Sequence, residues 1–339
     1  MHDNQAHLWR SGTELIKATA IYAQERPALS WTLTAVSFLL LGLCWTLALT
    51  IPVLAVQMLA AVLVGLLLVR CFVLYHDQQH GAILRGSRFG ALLMRGFGVL
   101  VLAPASAWTG THETHHRSNS RQGSGFVGSF SVYSVEQWRA AGRWERLAYR
   151  AERHPLIILF AYPLVFILKH CLVPLLRDPR RHLDCGLALL LHVAIGCVLW
   201  WSGGWLLLLI GQTIPFAIAG CLGTYLFYAQ HTFPGVRLCH RADWNYHDAA
   251  LLSSSYMRMG PVMRWFTANI GYHHIHHLNA RIPFYRLPQA MREMPELDRA
   301  TRTSLHPREI WRCLRLDLWD DEADRMVSLR AVRRHRSPA

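Results

Sequence analysis

Apolar residues gather along this chain in four long stretches that are almost free of charge, separated by polar loops. Residues 31–50 carry no charged side chain, and at about 1.5 Å per residue such a helix reaches across a hydrocarbon core of about 30 Å. A second run at 53–69 holds only Gln57 as a polar residue, and apolar character continues past Arg70 to Tyr75. Two more runs lie at 185–201 and 205–228. Buried helices of a soluble core account poorly for four runs of this length. The pattern therefore predicts an all-α integral membrane fold of about four transmembrane helices, with spans near 31–50, 53–75, 185–201 and 205–228. No repeat or low-complexity linker divides the chain, so residues 1–339 read as one membrane domain.

The loops orient the spans. Thr50-Ile51-Pro52 makes a tight uncharged turn between the first two, whereas residues 177–181 carry three arginines, which places them in the cytoplasm. The segment 200–205, with Trp200, Trp201 and Trp205 around Ser202, Gly203 and Gly204, has the aromatic, uncharged character of the outer interface. Two shorter apolar stretches are expected not to cross. Residues 91–107 are interrupted by Arg95 and Pro104, and 156–168 are too short and contain Pro163. Both read as interfacial or re-entrant helices. The polar loop 109–155 and the C-terminal region 231–339 then share the cytoplasmic face, with amphipathic helices expected at 135–153 and 307–318. Arg70, in the last turns of its span, is expected to snorkel to the headgroups.

The formal net charge is +14. Its Lys and Arg residues lie mostly outside the apolar runs, as expected of cytoplasmic loops and of contact with anionic membrane lipids. No zinc-finger spacing, RNA-binding signature or Arg-rich helix with interleaved aromatics accompanies the charge, which argues against a nucleic-acid partner. The eight cysteines include no Cys-x-x-Cys pair and lie mainly in or beside apolar segments, so no disulfide framework is expected. The first thirty residues are polar and mixed in charge, without the pattern of a cleavable signal peptide.

Histidine carries the chemistry. Ten of the twenty histidines occupy four short places. His76 and His80 close the second span, and a separation of four puts both imidazoles on one helix face. His112, His115 and His116 form one His-x-x-His-His motif; His273, His276 and His277 form a second, with His274 at its variable position. His231 sits directly after the last apolar run. In His-x-x-His-His the three rings share a helix face, and adjacent histidines can diverge toward two neighbouring metals. Imidazole suits iron, zinc, copper and nickel alike. Eight or nine neutral nitrogen ligands nevertheless exceed the needs of one four-coordinate zinc and favour a dinuclear centre. Asp77 and Glu113 lie inside the motifs, where each could accept a ligand N–H or simply face solvent.

These three motifs and their spacing around the spans resemble the membrane fatty acid desaturases and related hydroxylases, and most nearly the bacterial acyl-lipid desaturases. The resemblance covers about residues 31–290. It includes Gly271-Tyr272-His273-His274-Ile275-His276-His277-Leu278, the following Arg281-Ile282-Pro283, the preceding Asn269-Ile270, and Gln230-His231. It implies that His76, His80, His112, His115, His116, His273, His276 and His277 hold two irons, with His231 as an additional ligand, in a cytoplasmic His-rich di-iron cap. One departure stands out. In related acyl-CoA desaturases an asparagine one turn before the additional histidine helps hold an iron through water, and here that place is Phe227.

The implied activity is oxygen-dependent desaturation of fatty acyl chains, with fatty acyl lipid as substrate and a bacterial inner membrane as location. A mid-chain methylene has neither an acidic proton nor a leaving group. The reaction therefore takes an oxidant made from dioxygen and two electrons, which redox-inert zinc cannot supply. Acyl hydroxylation is the alternative within the superfamily. A histidine-rich metal transporter is the alternative from another class, although its ligands should lie along a path within the spans. The chain has no fused cytochrome b5 element, no ferredoxin-like cysteine set and no dinucleotide-binding loop. An external ferredoxin or cytochrome-type electron donor is expected, and residues 231–339, with seventeen arginines against eleven acidic residues, offer it a basic surface.

Overall fold

The computed structural model describes residues 10–122, 129–239 and 242–334; parts of the predicted polar loop and of the two termini lie outside them. The apolar runs become helices. α1, Pro27–Thr50, starts with proline at its first turn and ends before Pro52. α2, Leu54–Gln79, outlasts its apolar run and so carries His76 in its last turn. α1 faces lipid over much of its surface, with Leu39 and Leu43 exposed, whereas α2 is the central helix. Gly65 lets α2 approach Pro215 and Ile218 closely; a Cβ there would lie 2.7 Å from the Ile218 side chain.

The last two apolar runs form one hairpin. α3, Arg88–Leu100, and α4, Ala105–Ser118, precede it and meet at a bend of 98° around Pro104. The hairpin comprises α5, Leu183–Leu208, a π-helical turn at Leu209–Thr213, and α6, Ile214–His231. Helical backbone is lost within α5 at Gly203 and Gly204; Gly204 has φ +67° and ψ −159°, a region essentially reserved for glycine. The chain reverses there. A Cβ on Gly196 would lie 2.8 Å from Gln212 Oε1, and the Gln212 amide donates to the His192 carbonyl at 2.9 Å. Trp200, Trp201 and Trp205 are exposed at this tip, an aromatic belt at the end remote from the histidines. With the whole 183–231 stretch counted once beside α1 and α2, three candidate spans result, or four if the bent α3–α4 pair is one span.

Residues 155–177 dip into the bundle and return. Arg153, just before them, donates to Tyr228 Oη near the end of α6 at 3.1 Å. Tyr162 packs deeper, against Gly220 and Phe216. Cys185 Sγ at the start of α5 then donates to the His170 carbonyl at 3.6 Å. Both ends of the segment thus lie at the histidine-bearing face. Pro163 and Pro174 remove backbone donors here, and Tyr162–Leu172 adopts a π-helix.

The predicted helix at 135–153 is two helices, Val135–Ala140 and Arg143–Glu152. Gly142 interrupts them, and its amide is capped by Glu145. The predicted helix at 307–318 stops at Leu314; Leu318–Asp320 instead pairs antiparallel with Arg325–Val327. A second two-stranded sheet pairs Tyr256–Arg258 with Arg302–Ser304 in parallel. Arg70 does not snorkel. It is buried, donating to Ser37 Oγ at 2.8 Å and to the Trp265 carbonyl, with its guanidinium 4.1 Å from the Trp265 ring. It joins α1, α2 and the helix Pro261–Phe266 through contacts that no local pattern in the sequence discloses.

Candidate metal centre

Four elements bring the histidines together: the end of α2, the second half of α4, the last residue of α6, and the short helix α7, His273–Leu278. α7 needs a crowded approach to reach its place. A Cβ on Gly271 would lie 2.4 Å from the Met257 carbonyl oxygen, so only glycine fits before the motif. Gln230 donates to the Ile270 carbonyl at 2.9 Å and Asn269 to the Phe284 carbonyl at 3.0 Å. These bonds tie the end of α6 and the chain after α7 to the same site.

All nine histidines singled out in the sequence fall into two groups. His76, His80, His112, His116 and His276 form one; His115, His231, His273 and His277 form the other. Ring nitrogens within each group lie within 4.8 Å of one another. The helical spacing does the sorting. Pairs four apart (76 and 80, 112 and 116, 273 and 277) share a group, while the third ring of each His-x-x-His-His motif, His115 or His276, joins the other group. His274 belongs to neither and packs toward Tyr256, ring centroids 5.9 Å apart.

Nε2 is the converging atom. Neighbouring Nε2 atoms are 3.1 Å apart for His80–His112, His112–His116 and His116–His276. In the second group His115–His231 and His273–His277 are 3.1 Å and His231–His273 2.9 Å. At a metal–nitrogen bond of about 2.1 Å, cis nitrogens of a five- or six-coordinate ion lie about 3.0 Å apart and those of a tetrahedral ion about 3.4 Å. The observed spacings match the first case. Burial, reinforced by the neighbouring imidazoles, pushes the pKa of His273, His276 and His277 well below 6.5, so their rings are neutral and keep lone pairs for a cation. Neither group contains a carboxylate.

Outer contacts fix several rings. His231 Nδ1 donates to the Ser253 carbonyl at 3.2 Å, which turns its Nε2 lone pair inward. Asp77 Oδ1 lies 3.3 Å from His76 Nδ1, and its Oδ2 accepts the Phe284 amide at 2.8 Å. Asp77 thereby links the histidine-bearing end of α2 to the chain just after the Arg281-Ile282-Pro283 stretch. Glu113 does not serve this purpose; it points outward and pairs with Arg117 at 2.8 Å. Trp108 stacks on His112 with centroids 4.4 Å apart. Phe227 stands 5.1 Å from the His115 ring and 5.6 Å from His231, an apolar neighbour to the second group.

Two features of the site carry no mark in the sequence. Asp184 accepts the Ser106 amide at 3.0 Å and His182 Nδ1 lies 2.8 Å from Ser106 Oγ, anchoring the N-terminus of the helix that carries three histidines. The other is a cavity of about 960 Å³ that reaches His76, His112 and His273. Its walls include Leu68, Phe72, Leu226 and Phe227, and Gly223 on α6 leaves open space where a side chain would project. Lys169, Arg177 and Arg181 border it near the polar face. His182 and Asp184 carry no motif spacing, and a cavity is a property of packed helices.

Comparison with known proteins agrees with this geometry. The family model described as fatty acid desaturase matches residues 52–308. A protein of Bacillus subtilis (strain 168) named fatty acid desaturase is 30% identical over 324 residues, covering 94% of this chain and 91% of the relative. A protein of Synechocystis sp. named sn-1 acyl-lipid omega-3 desaturase (ferredoxin) is 24% identical over 272 residues, covering 75% of this chain and 71% of its own.

Proposed function

This chain belongs to the fatty acid desaturase family, and we propose that it desaturates acyl chains of membrane lipids, using dioxygen, at a two-iron centre held by its nine grouped histidines. One observation carries the reading: two all-imidazole groups, with spacings suited to five- or six-coordinate ions, face a single apolar cavity. Two bound irons would supply the redox capacity that a methylene group and dioxygen lack on their own. The overall change joins –CH2–CH2–, O2, two electrons and two protons to give –CH=CH– and two waters.

The protein's own residues do the positioning. The cavity walls hold the chain away from water, and Trp108, Asp77 and the Ser253 carbonyl hold His112, His76 and His231 in place. The histidines cluster at helix ends rather than along a path through the spans, which disfavours metal transport. The arginine-bearing loop 177–181 and the histidine groups lie at one end of the α5–α6 hairpin and the tryptophans at the other. This supports a cytoplasmic site in a bacterial inner membrane. The ferredoxin in the name of the Synechocystis relative agrees with an external ferredoxin or cytochrome-type donor.

Lipid analysis of cells expressing the protein tests the reading. A new double bond, located by fragmentation and absent from cells expressing His276→Ala at the same level, is the expected result. A hydroxylated product, or the same double bond from the variant, would overturn it.

A further inference from the structure

Among the spans, Tyr162, His192 and Gln212 form a polar cluster that belongs to neither histidine group. Tyr162 Oη is hydrogen-bonded to His192 Nε2. The Gln212 side-chain nitrogen lies 2.8 Å from the same ring nitrogen and donates to the His192 carbonyl. Polar side chains in a hydrocarbon environment are costly and mark function more often than those in a soluble core.

The cluster lies at one end of the cavity. Tyr162 and Phe216 form part of its wall, with His192 behind them, in ring contact with both. The other end touches His76, His112 and His273. Along α6 the wall extends from Gln230, beside the histidines, to Phe216, about 21 Å of helix at 1.5 Å per residue. Tyr162 has no room to withdraw. Its backbone lies against Gly220, where a Cβ would be 2.9 Å from the Tyr162 nitrogen, and its ring is 5.5 Å from Phe216. With its one side-chain polar atom bonded to His192, Tyr162 presents its ring to whatever fills the cavity.

We propose that Tyr162, anchored by His192 and Gln212, is the floor of the acyl chamber and sets the longest chain the site accepts. The inference rests on the desaturase reading of the same cavity. The occupant at the floor is the methyl end of a saturated chain. Each methylene that finds apolar contact strengthens binding about fourfold, and the gain stops where the chain meets a fixed ring backed by polar groups.

The test supplies lipids with saturated chains of graded length together and measures the double bonds formed in each. Wild type should show a sharp upper limit. Tyr162→Ala should raise conversion of chains two carbons beyond that limit by about tenfold relative to the best wild-type chain. Tyr162→Phe, which keeps the ring but loses its anchor, should raise it about two- to fivefold. Helical circular dichroism matching wild type in the purified variants would show an intact fold. Independently of turnover, a fatty acid of the preferred length with a photoreactive methyl end should crosslink to Tyr162 or Phe216. An unchanged length limit in Tyr162→Ala, or crosslinking away from this end, would overturn the floor while leaving desaturation standing. Absence of new double bonds in wild type would instead remove the reading beneath it.

Discussion

The two histidine groups differ in number and surroundings. The first has five imidazoles, and Asp77 stands behind His76. The second has four, draws one from the end of α6, and has Phe227 packed beside it. The first group can lose a ring and still offer four nitrogens. The second cannot. Unequal ligand numbers also leave unequal room, since a five- or six-coordinate ion keeps one or two positions open in a four-nitrogen group and at most one in a five-nitrogen group. Each His-x-x-His-His motif therefore serves no single group but contributes rings to both.

The largest effect should come from the smaller group. His277→Ala leaves three imidazoles, so turnover should vanish and bound iron should fall from two toward one per chain, with the helical fold retained by circular dichroism. Iron near two in that variant would break the comparison. His80→Ala leaves four nitrogens in the first group. Iron should stay closer to two, while turnover, measured by lipid fragmentation, should still drop on the order of 10- to 100-fold because the remaining rings lose their geometry.

Asp77→Asn sharpens the picture from outside the groups. Losing the carboxylate behind His76 should weaken iron in the first group by about 10- to 100-fold, read by chelator competition, and leave the second group unchanged. Equal loss from both would mean that Asp77 supports the fold rather than His76. Smallest is His274→Ala. Because His274 lies in neither group, iron content should not change, and any loss of thermal stability should reflect only the vacated buried volume.

Much of this was legible in the sequence, because its signals are local. Uncharged runs marked α1, α2 and the hairpin, and Gly203 and Gly204 fell in the expected turn between the last two spans. Spacings of three and four marked eight of the nine grouped histidines, while His231 was marked by its place at the end of the last apolar run and His274 fell on the variable position of its motif. What was hidden depends on contacts between distant residues. Arg70 looked like a headgroup contact until Trp265, 195 positions away, supplied its carbonyl and its ring. Gly142 divided an amphipathic helix, its amide donating to the Glu145 carboxylate, and Leu318 left a predicted helix to pair with Val327. Glu113, which the sequence left undecided, lies off the buried histidine face of α4 and pairs with Arg117 at the surface. The cavity and the cluster of Tyr162, His192 and Gln212 left no local mark at all.

The central claim is that one chain holds two metals in two unequal all-histidine groups. Elemental analysis of the purified wild-type protein, with iron and zinc counted per chain, tests it most directly. Close to two irons per chain and little zinc is the expected result. One tightly held metal per chain, or zinc in place of iron, would contradict it.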